Sequence, residues 1–180
     1  GASGRITANA GSIEFFCKRE AMNLENLGPS LVTQLVDTRL VEDVADLFDL
    51  TVDKLVDLER MGRKSAENVV GSMQQAREKA TLTRLLVGLG MPKIGEVWAH
   101  EVALRFGDLK TLMETAPDDI FAALVERHGF GEERARAVSD FFADERHCAV
   151  LLKLMARGVS PSEPKTGTKM LISDVCAQPI

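Results

Sequence analysis

The chain has 180 residues, 45% of them hydrophobic and 27% charged, which suffices for one generous domain or two small ones. Its net charge of −5 excludes a protein that holds nucleic acid through a global basic field, and restricts any phosphate binding to local clusters. Aromatics make up only 5% and tyrosine is absent, so the core must come from Leu, Val, Ala and Met, which favours helix packing and disfavours a stacking platform for single-stranded bases.

Residues 1–11 have no clear period and read as a lead-in. Ser12 is placed to cap a short helix with Ile13, Phe16 and Cys17 on its apolar side. A short helix is expected over 21–26, then a turn at Leu27-Gly28, then a helix opened by Pro29, with Leu31, Val32, Leu35 and Val36 on one face. Residues 41–50 read as a connecting helix, and Thr51 caps the next through Leu55 and Val56. A long helix follows Gly62 to about Lys79, and Thr81 begins another. The helix after Gly95 stops at Gly107. Asp108 and Pro117 open two more, and a last helix runs from Arg146 to Ala156, ending at Gly158. Residues 159–180 begin with the Ser/Pro/Gly composition of a linker, with a short apolar run, Met170-Leu171-Ile172, that suits a strand stub or an unfolded end. The body, residues 12–158, is expected to be all-α.

Four glycines punctuate this body. Gly28, Gly62, Gly95 and Gly131 stand 34, 33 and 36 residues apart. Just before them are Leu27, Met61, Ile94 and Phe130. Four residues after come Val32, Ala66, Ala99 and Ala135, and seven after come Leu35, Val69, Val102 and Val138. One such turn is a common way to join helices. Four copies with the same offsets describe a repeated helix–turn–helix unit. Each unit starts a helix on a residue without a Cβ. The unpaired N–H groups and positive dipole end of that helix suit a phosphate.

The four do not offer the same chemistry. The second, with Arg60, Gly62, Arg63, Lys64 and Ser65, is the best anion site. The first offers Gly28 and Ser30, and the third Lys93 and Gly95 followed by Glu96. The fourth has Gly129 and Gly131, but Glu132 and Glu133 at its helix start repel a phosphate while Arg134 and Arg136 attract one. It stays open between spacer and contact. Its longer separation suggests an extra residue in its loop.

Phe16-Cys17-Lys18-Arg19-Glu20-Ala21-Met22-Asn23-Leu24-Glu25-Asn26-Leu27-Gly28 resembles the segment opening the helix-hairpin-helix domain of bacterial NAD-dependent DNA ligases. Residues 58–68, from Leu58-Glu59-Arg60-Met61-Gly62 onward, are similar to that family's second hairpin, and Leu89-Gly90-Met91-Pro92-Lys93-Ile94-Gly95-Glu96 to its third. Phe141-Phe142 and the helix after them match the end of its fourth. The resemblance spans residues 12–160. It implies four tandem helix-hairpin-helix motifs that bind nicked duplex DNA through its backbone, independently of sequence, for replication and repair. It further implies a monomer in the bacterial cytoplasm, within an enzyme that uses NAD and Mg²⁺ elsewhere and continues into a BRCT-like domain. The adenylation motif Lys-x-Asp-Gly and the four zinc cysteines are absent from this sequence, and Arg5 falls where the last zinc ligand would stand. This stretch is therefore expected to be inactive alone, with no catalytic residue, metal or cofactor of its own. Asn26, Arg60 and Lys93 replace a glycine in three turns, and Arg127 stands where the others have Leu24, Leu58 and Met91.

A period near 34 also fits a helical-repeat scaffold for protein partners, although the tetratricopeptide and ankyrin signatures are missing. An independent enzyme finds no nucleophile–base pair or phosphate loop. Cys17, Cys148 and Cys176 are odd in number and far apart, without a CxxC, and read as free thiols in a reducing cytosol. There is no signal peptide and no apolar run of membrane-spanning length. A first residue of glycine points to a piece of a longer or processed protein. Trp98 reads as core, His100, His128 and His147 as ordinary polar residues, and Asp118-Asp119 as helix-start carboxylates.

Overall fold

The computed structural model describes residues 9–164, and the lead-in residues 1–8, Arg5 among them, Met170–Ile172 and Cys176 lie outside it. Ten α-helices and one 3-10 helix make up the described part: α1 Ala10–Cys17, α2 Pro29–Asp37, the 3-10 helix Val44–Asp49, α3 Val52–Leu55, α4 Arg63–Lys79, α5 Leu82–Leu89, α6 Glu96–Phe106, α7 Leu109–Glu114, α8 Pro117–Val125, α9 Glu132–Ala143 and α10 Glu145–Ala156. The all-α reading holds, and Asp108 and Ser162 form an isolated bridge.

Five of the ten α-helix starts are set by a side chain that accepts from the first turn. Asn9 caps α1, Thr51 α3, Thr81 α5, Asp108 α7 and Asp144 α10. Helix α1 thus begins at Ala10 rather than after Ser12, whose amide donates to Asn9 Oδ1 at 3.2 Å. The helix expected over 21–26 does not form. The amides of Ala21, Met22, Asn23 and Leu24 all donate back to carbonyls of residues 16–18, closing the end of α1, and Asn23 sits at φ 53°. Those donors are spent before a new helix can use them.

The repeat offsets become layers of the core. Val32, Ala66, Ala99 and Ala135 are fully buried, as are Leu35, Val102 and Val138, with Val69 nearly so. Helix α5 pairs with α6 and α8 with α9, while α1 packs on α2 and α5. Helix α10 returns to the first half. Lys153 Nζ lies 2.7 Å from Asp43 Oδ2 and 3.1 Å from Asp46 Oδ1, and Arg157 Nε lies 2.8 Å from Asp49 Oδ2. Arg77 of α4 donates to the Arg157 carbonyl at 2.8 Å and, from Nη2, to that of Phe48 at 3.3 Å.

Asp43 and Asp46 form a reciprocal capping box at the 3-10 helix. Burial by itself raises the Asp46 carboxyl, but the Glu42 amide, the Lys153 ammonium and the Asp43 amide outweigh it and hold the group below its ordinary range. A depressed carboxyl stabilises the fold above its unfolded value of 3.8, and the contribution is lost as pH falls through the lower folded value. Asp46→Asn is therefore expected to cost about 1 kcal/mol at neutral pH, the usual size of a lost cap. Urea unfolding at about pH 7 and about pH 2 should show that difference shrinking towards zero in acid.

The start of the expected linker is fixed to the body. Val159 and Pro161 are buried. The amide of Leu82 donates to Ser162 O at 3.1 Å and that of Leu109 to Pro161 O at 3.0 Å, so residues 161–162 complete the first turns of α5 and α7. Glu163 Oε1 accepts from the Thr83 amide at 2.9 Å and its hydroxyl at 2.8 Å. The composition of 159–168 signalled a linker because it lacks periodicity, but its carbonyls supply the acceptors that two helix starts require.

Candidate nucleic-acid interface

Four turns share one backbone construction. The amide before each N-cap glycine donates three residues back: Leu27 to Leu24, Met61 to Leu58, Ile94 to Met91 and Phe130 to Arg127, at 3.1, 3.3, 3.2 and 3.0 Å. Each glycine carbonyl then accepts the first intrahelical bond, from Val32, Ala66, Ala99 and Ala135, at 3.0, 3.0, 2.9 and 3.1 Å. The residue at the fourth offset is thus the first to donate into its helix.

None of these four helices has a side-chain cap. Elsewhere in the described chain only α8 lacks one, and it opens on a proline without an N–H. The hairpin glycines are exposed. Gly28, Gly62 and Gly95 have ordinary φ values of −81°, −83° and −88°, and a Cβ added to any of them would meet nothing within 4 Å. The fold does not need glycine there. Open space above unpaired amides leaves room for a ligand to approach the backbone. Gly131 differs, since its φ of 82° is one a side chain rarely adopts, and the turn itself requires glycine.

Two residues before three of the N-caps the chain is left-handed, at Arg60 (60°), Lys93 (66°) and Gly129 (77°). Arginine and lysine in this conformation cost about 1 kcal/mol or more each relative to glycine, and they put positive charge into the turn. The second position of the four helices is held by Ser30, Lys64, Val97 and Glu133: a hydroxyl, an ammonium, an exposed isopropyl and a carboxylate.

The model for the helix-hairpin-helix motif matches residues 84–151, and that for the SAM-like helix-hairpin-helix tandem matches residues 18–72. The chain is 41% identical over 162 residues to a DNA ligase of Haloferax volcanii, covering 87% of this chain and 23% of that protein. It is 34% identical over 165 residues to a DNA ligase of Lysinibacillus sphaericus, covering 92% and 24%, and 39% identical over 145 residues to one of Bacillus subtilis, covering 81% and 21%. The chain carries helix-hairpin-helix motifs over residues 18–72 and 84–151 and is similar to one part of DNA ligases. It spans about a quarter of the length of these relatives. One of them is archaeal, so the likeness is not confined to bacteria.

The second hairpin of the domain keeps its charge available. Arg60, Arg63, Lys64 and Ser65 are exposed, and among the described residues none of the three cations enters an ion pair. In the first hairpin, Gly28 and Ser30 are exposed. Asn26 there is not left-handed, and its side-chain amide donates to Asn68 O at 3.2 Å and Ser72 Oγ at 2.6 Å, tying the turn to α4. Lys18 lies 3.8 Å over the Phe15 ring.

The third and fourth hairpins are joined. Trp98 meets Phe130 edge-on at 5.4 Å, and the Arg134 guanidinium lies 4.2 Å over the Trp98 ring while donating to Phe130 O at 3.0 Å. Arg134, expected as a DNA contact, is thus engaged in fastening the turn. Lys93 is engaged too, with Nζ 3.3 Å from Glu133 Oε2. The fourth turn has no extra residue. Six residues, 90–95 and 126–131, separate the helices of the third and fourth hairpins alike, and α7 lies in the longer stretch between them. Arg127 is accommodated by Glu101 of α6, whose Oε1 accepts from Nε at 3.1 Å and Nη2 at 3.0 Å. The pair spans 26 residues and follows no helical spacing, so no periodicity reveals it.

Nothing described favours covalent or metal chemistry. Burial, with Glu14 nearby, pushes the Cys17 thiol up to about 12, and burial beside Asp144 and Glu145 raises that of Cys148, which donates to Phe142 O. Both stay protonated at neutral pH. Among the described residues no three His, Cys, Asp or Glu side chains are grouped to hold a metal ion, and no helix is long and apolar enough to cross a membrane. His147 is buried with Nδ1 2.9 Å from Phe141 O, and His100 Nδ1 is 3.1 Å from Thr83 Oγ1.

Proposed function

We propose that this domain holds duplex DNA by its phosphate backbone, without reading base sequence, as the helix-hairpin-helix part of an NAD-dependent DNA ligase that seals nicks in replication and repair. The observation that carries the reading is the set of uncapped, exposed glycine starts in a chain whose other helices, α8 apart, are capped by side chains. Backbone amides with a dipole behind them grip a phosphate wherever it stands along a strand, and phosphates are the same at every base pair. The reading makes Gly28, Ser30, Arg60, Gly62, Arg63, Lys64, Ser65, Lys93 and Gly95 the contact residues, with the second hairpin dominant and Gly129, Gly131 and Arg134 shaping the fourth turn. The chemistry that uses NAD and Mg²⁺ belongs to other parts of the parent enzyme, and this stretch adds no catalytic residue. The domain acts as a monomer in the cytoplasm.

A protein-binding repeat scaffold has no use for helix starts left open to water. The test is binding of the 180-residue chain to labelled duplexes of unrelated sequence, nicked and intact, across a range of salt. The expected result is a linear fall of log affinity with log salt, equal for all sequences, and no sealing of the nick by this chain alone. Affinity that ignores salt, or that follows sequence, would overturn the reading.

A further inference from the structure

The third and fourth hairpins place two cations and two carboxylates around one cleft of about 490 Å³, lined by Lys93, Phe130, Gly131, Glu132, Glu133 and Arg134. Lys93 is the cation of the third turn, held there in a left-handed conformation. Its ammonium faces Glu133 at 3.3 Å, from the neighbouring hairpin. This juxtaposition is imposed by the packing, because Trp98 on α6 is fixed both to Phe130 and under Arg134. The pair itself is weak by construction. Its side chains are 58% and 81% exposed, and water screens such a contact heavily.

We propose that Glu133 is an electrostatic brake on the third hairpin: in the free domain its carboxylate occupies the Lys93 ammonium, and a DNA phosphate must displace it to bind there. The proposal rests on the duplex-binding reading above. The charges facing the cleft are Lys93 and Arg134 against Glu132 and Glu133, and an adjoining cleft adds Arg136 and Asp140 of α9 around the same Lys93 and Glu133. Neutralising Glu133 frees Lys93 and removes a repulsive charge from the path of the strand. The second hairpin has no such competitor among the described residues, since Arg63 and Lys64 enter no ion pair and the first turn of α4 contains no acidic residue. The two halves of the domain therefore differ in kind: one grips, while the other grips against a built-in competitor that eases release.

The test is Glu133→Gln in the 180-residue chain, measured on an intact duplex alongside Lys93→Gln and the Lys93→Gln/Glu133→Gln double variant. The expected result is tighter binding by about threefold at low salt, the scale of one exposed charge interaction. The salt slope should steepen by about one unit as a cation becomes available for a phosphate. Glu133→Ala should give the same gain, and the gain should vanish when Lys93 is already glutamine. Thermal unfolding of Glu133→Gln should fall by no more than about 3 °C, the effect of losing one exposed carboxylate from the positive end of the α9 dipole. Weaker binding would mean that Glu133 positions Lys93, and unchanged binding would mean that the pair is idle; either result overturns the brake. Arg63→Ala/Lys64→Ala, measured in parallel, separates the two levels. If it weakens binding while Glu133→Gln does nothing, only the brake falls. If the chain binds no duplex, both readings fall.

Discussion

Replacing Arg63 and Lys64 together by alanine is expected to weaken duplex binding about sixtyfold near 0.1 M salt and to flatten the salt slope by about two units, one for each phosphate deprived of its cation. The magnitude follows from counterion release. An interaction whose strength varies as salt to the power of about −0.9 is worth about eightfold at 0.1 M relative to 1 M, and two are worth their product. The same variant should not lose stability. Both residues lie in the first turn of α4, exposed and without a carboxylate partner among the described residues. The positive end of the helix dipole disfavours them there by about 0.3 kcal/mol or more each, and alanine is the better helix former. Thermal unfolding should therefore hold or rise slightly as affinity falls. A drop in binding accompanied by unfolding would point to a structural role, and an unchanged slope would remove this hairpin from the interface.

That opposition between stability and binding is legible in the amino-acid sequence. Gly62-Arg63-Lys64-Ser65 stands where a helix begins, against Gly95-Glu96 and Gly131-Glu132-Glu133 elsewhere, and charges that run against a dipole ask for an external partner. The framework is equally legible, because the offsets of four and seven residues from each glycine are helical spacings that land on the core. The segments that mislead are those where backbone donors or acceptors find distant partners. Residues 21–26 have helical composition, but the amides of 21–24 close α1. Residues 161–163 look like linker, yet they complete α5 and α7 from about 50 to 80 residues away in sequence. Arg134 donates to Phe130 O and lies over the Trp98 ring, engagements that its charge alone does not announce. Lys93 carries a charge that Glu133 answers from the next hairpin. Periodicity reports what one element does with its own faces. It does not report which element will stand opposite.

Phe130→Ala should be among the most damaging single changes in the domain, and its comparison with Met61→Ala separates repeat position from environment. The two residues are equivalents, each standing before an N-cap glycine and donating its amide three residues back. Phe130 is fully buried and carries the edge contact with Trp98, whereas Met61 is half-buried against the core. Removing a buried phenyl ring leaves a cavity and costs about 3–5 kcal/mol, a third or more of the stability of a marginal domain, and lowers the melting temperature by roughly 10 °C. Met61→Ala removes only the buried part of a thioether chain and should cost about 1–2 kcal/mol. Urea midpoints at constant slope would read both. The functional consequence should be local in the same way. Phe130→Ala loosens Trp98, and with it the placement of Lys93 opposite Glu133, so the response to Glu133→Gln should shrink in that background. The contribution of Arg63 and Lys64 to the salt slope should persist, because α4 contributes no side chain to the ring cluster of Trp98, Phe130 and Arg134. Equal costs at the two positions would mean that the hairpin construction, rather than the burial of its apolar residue, sets the stability of each repeat.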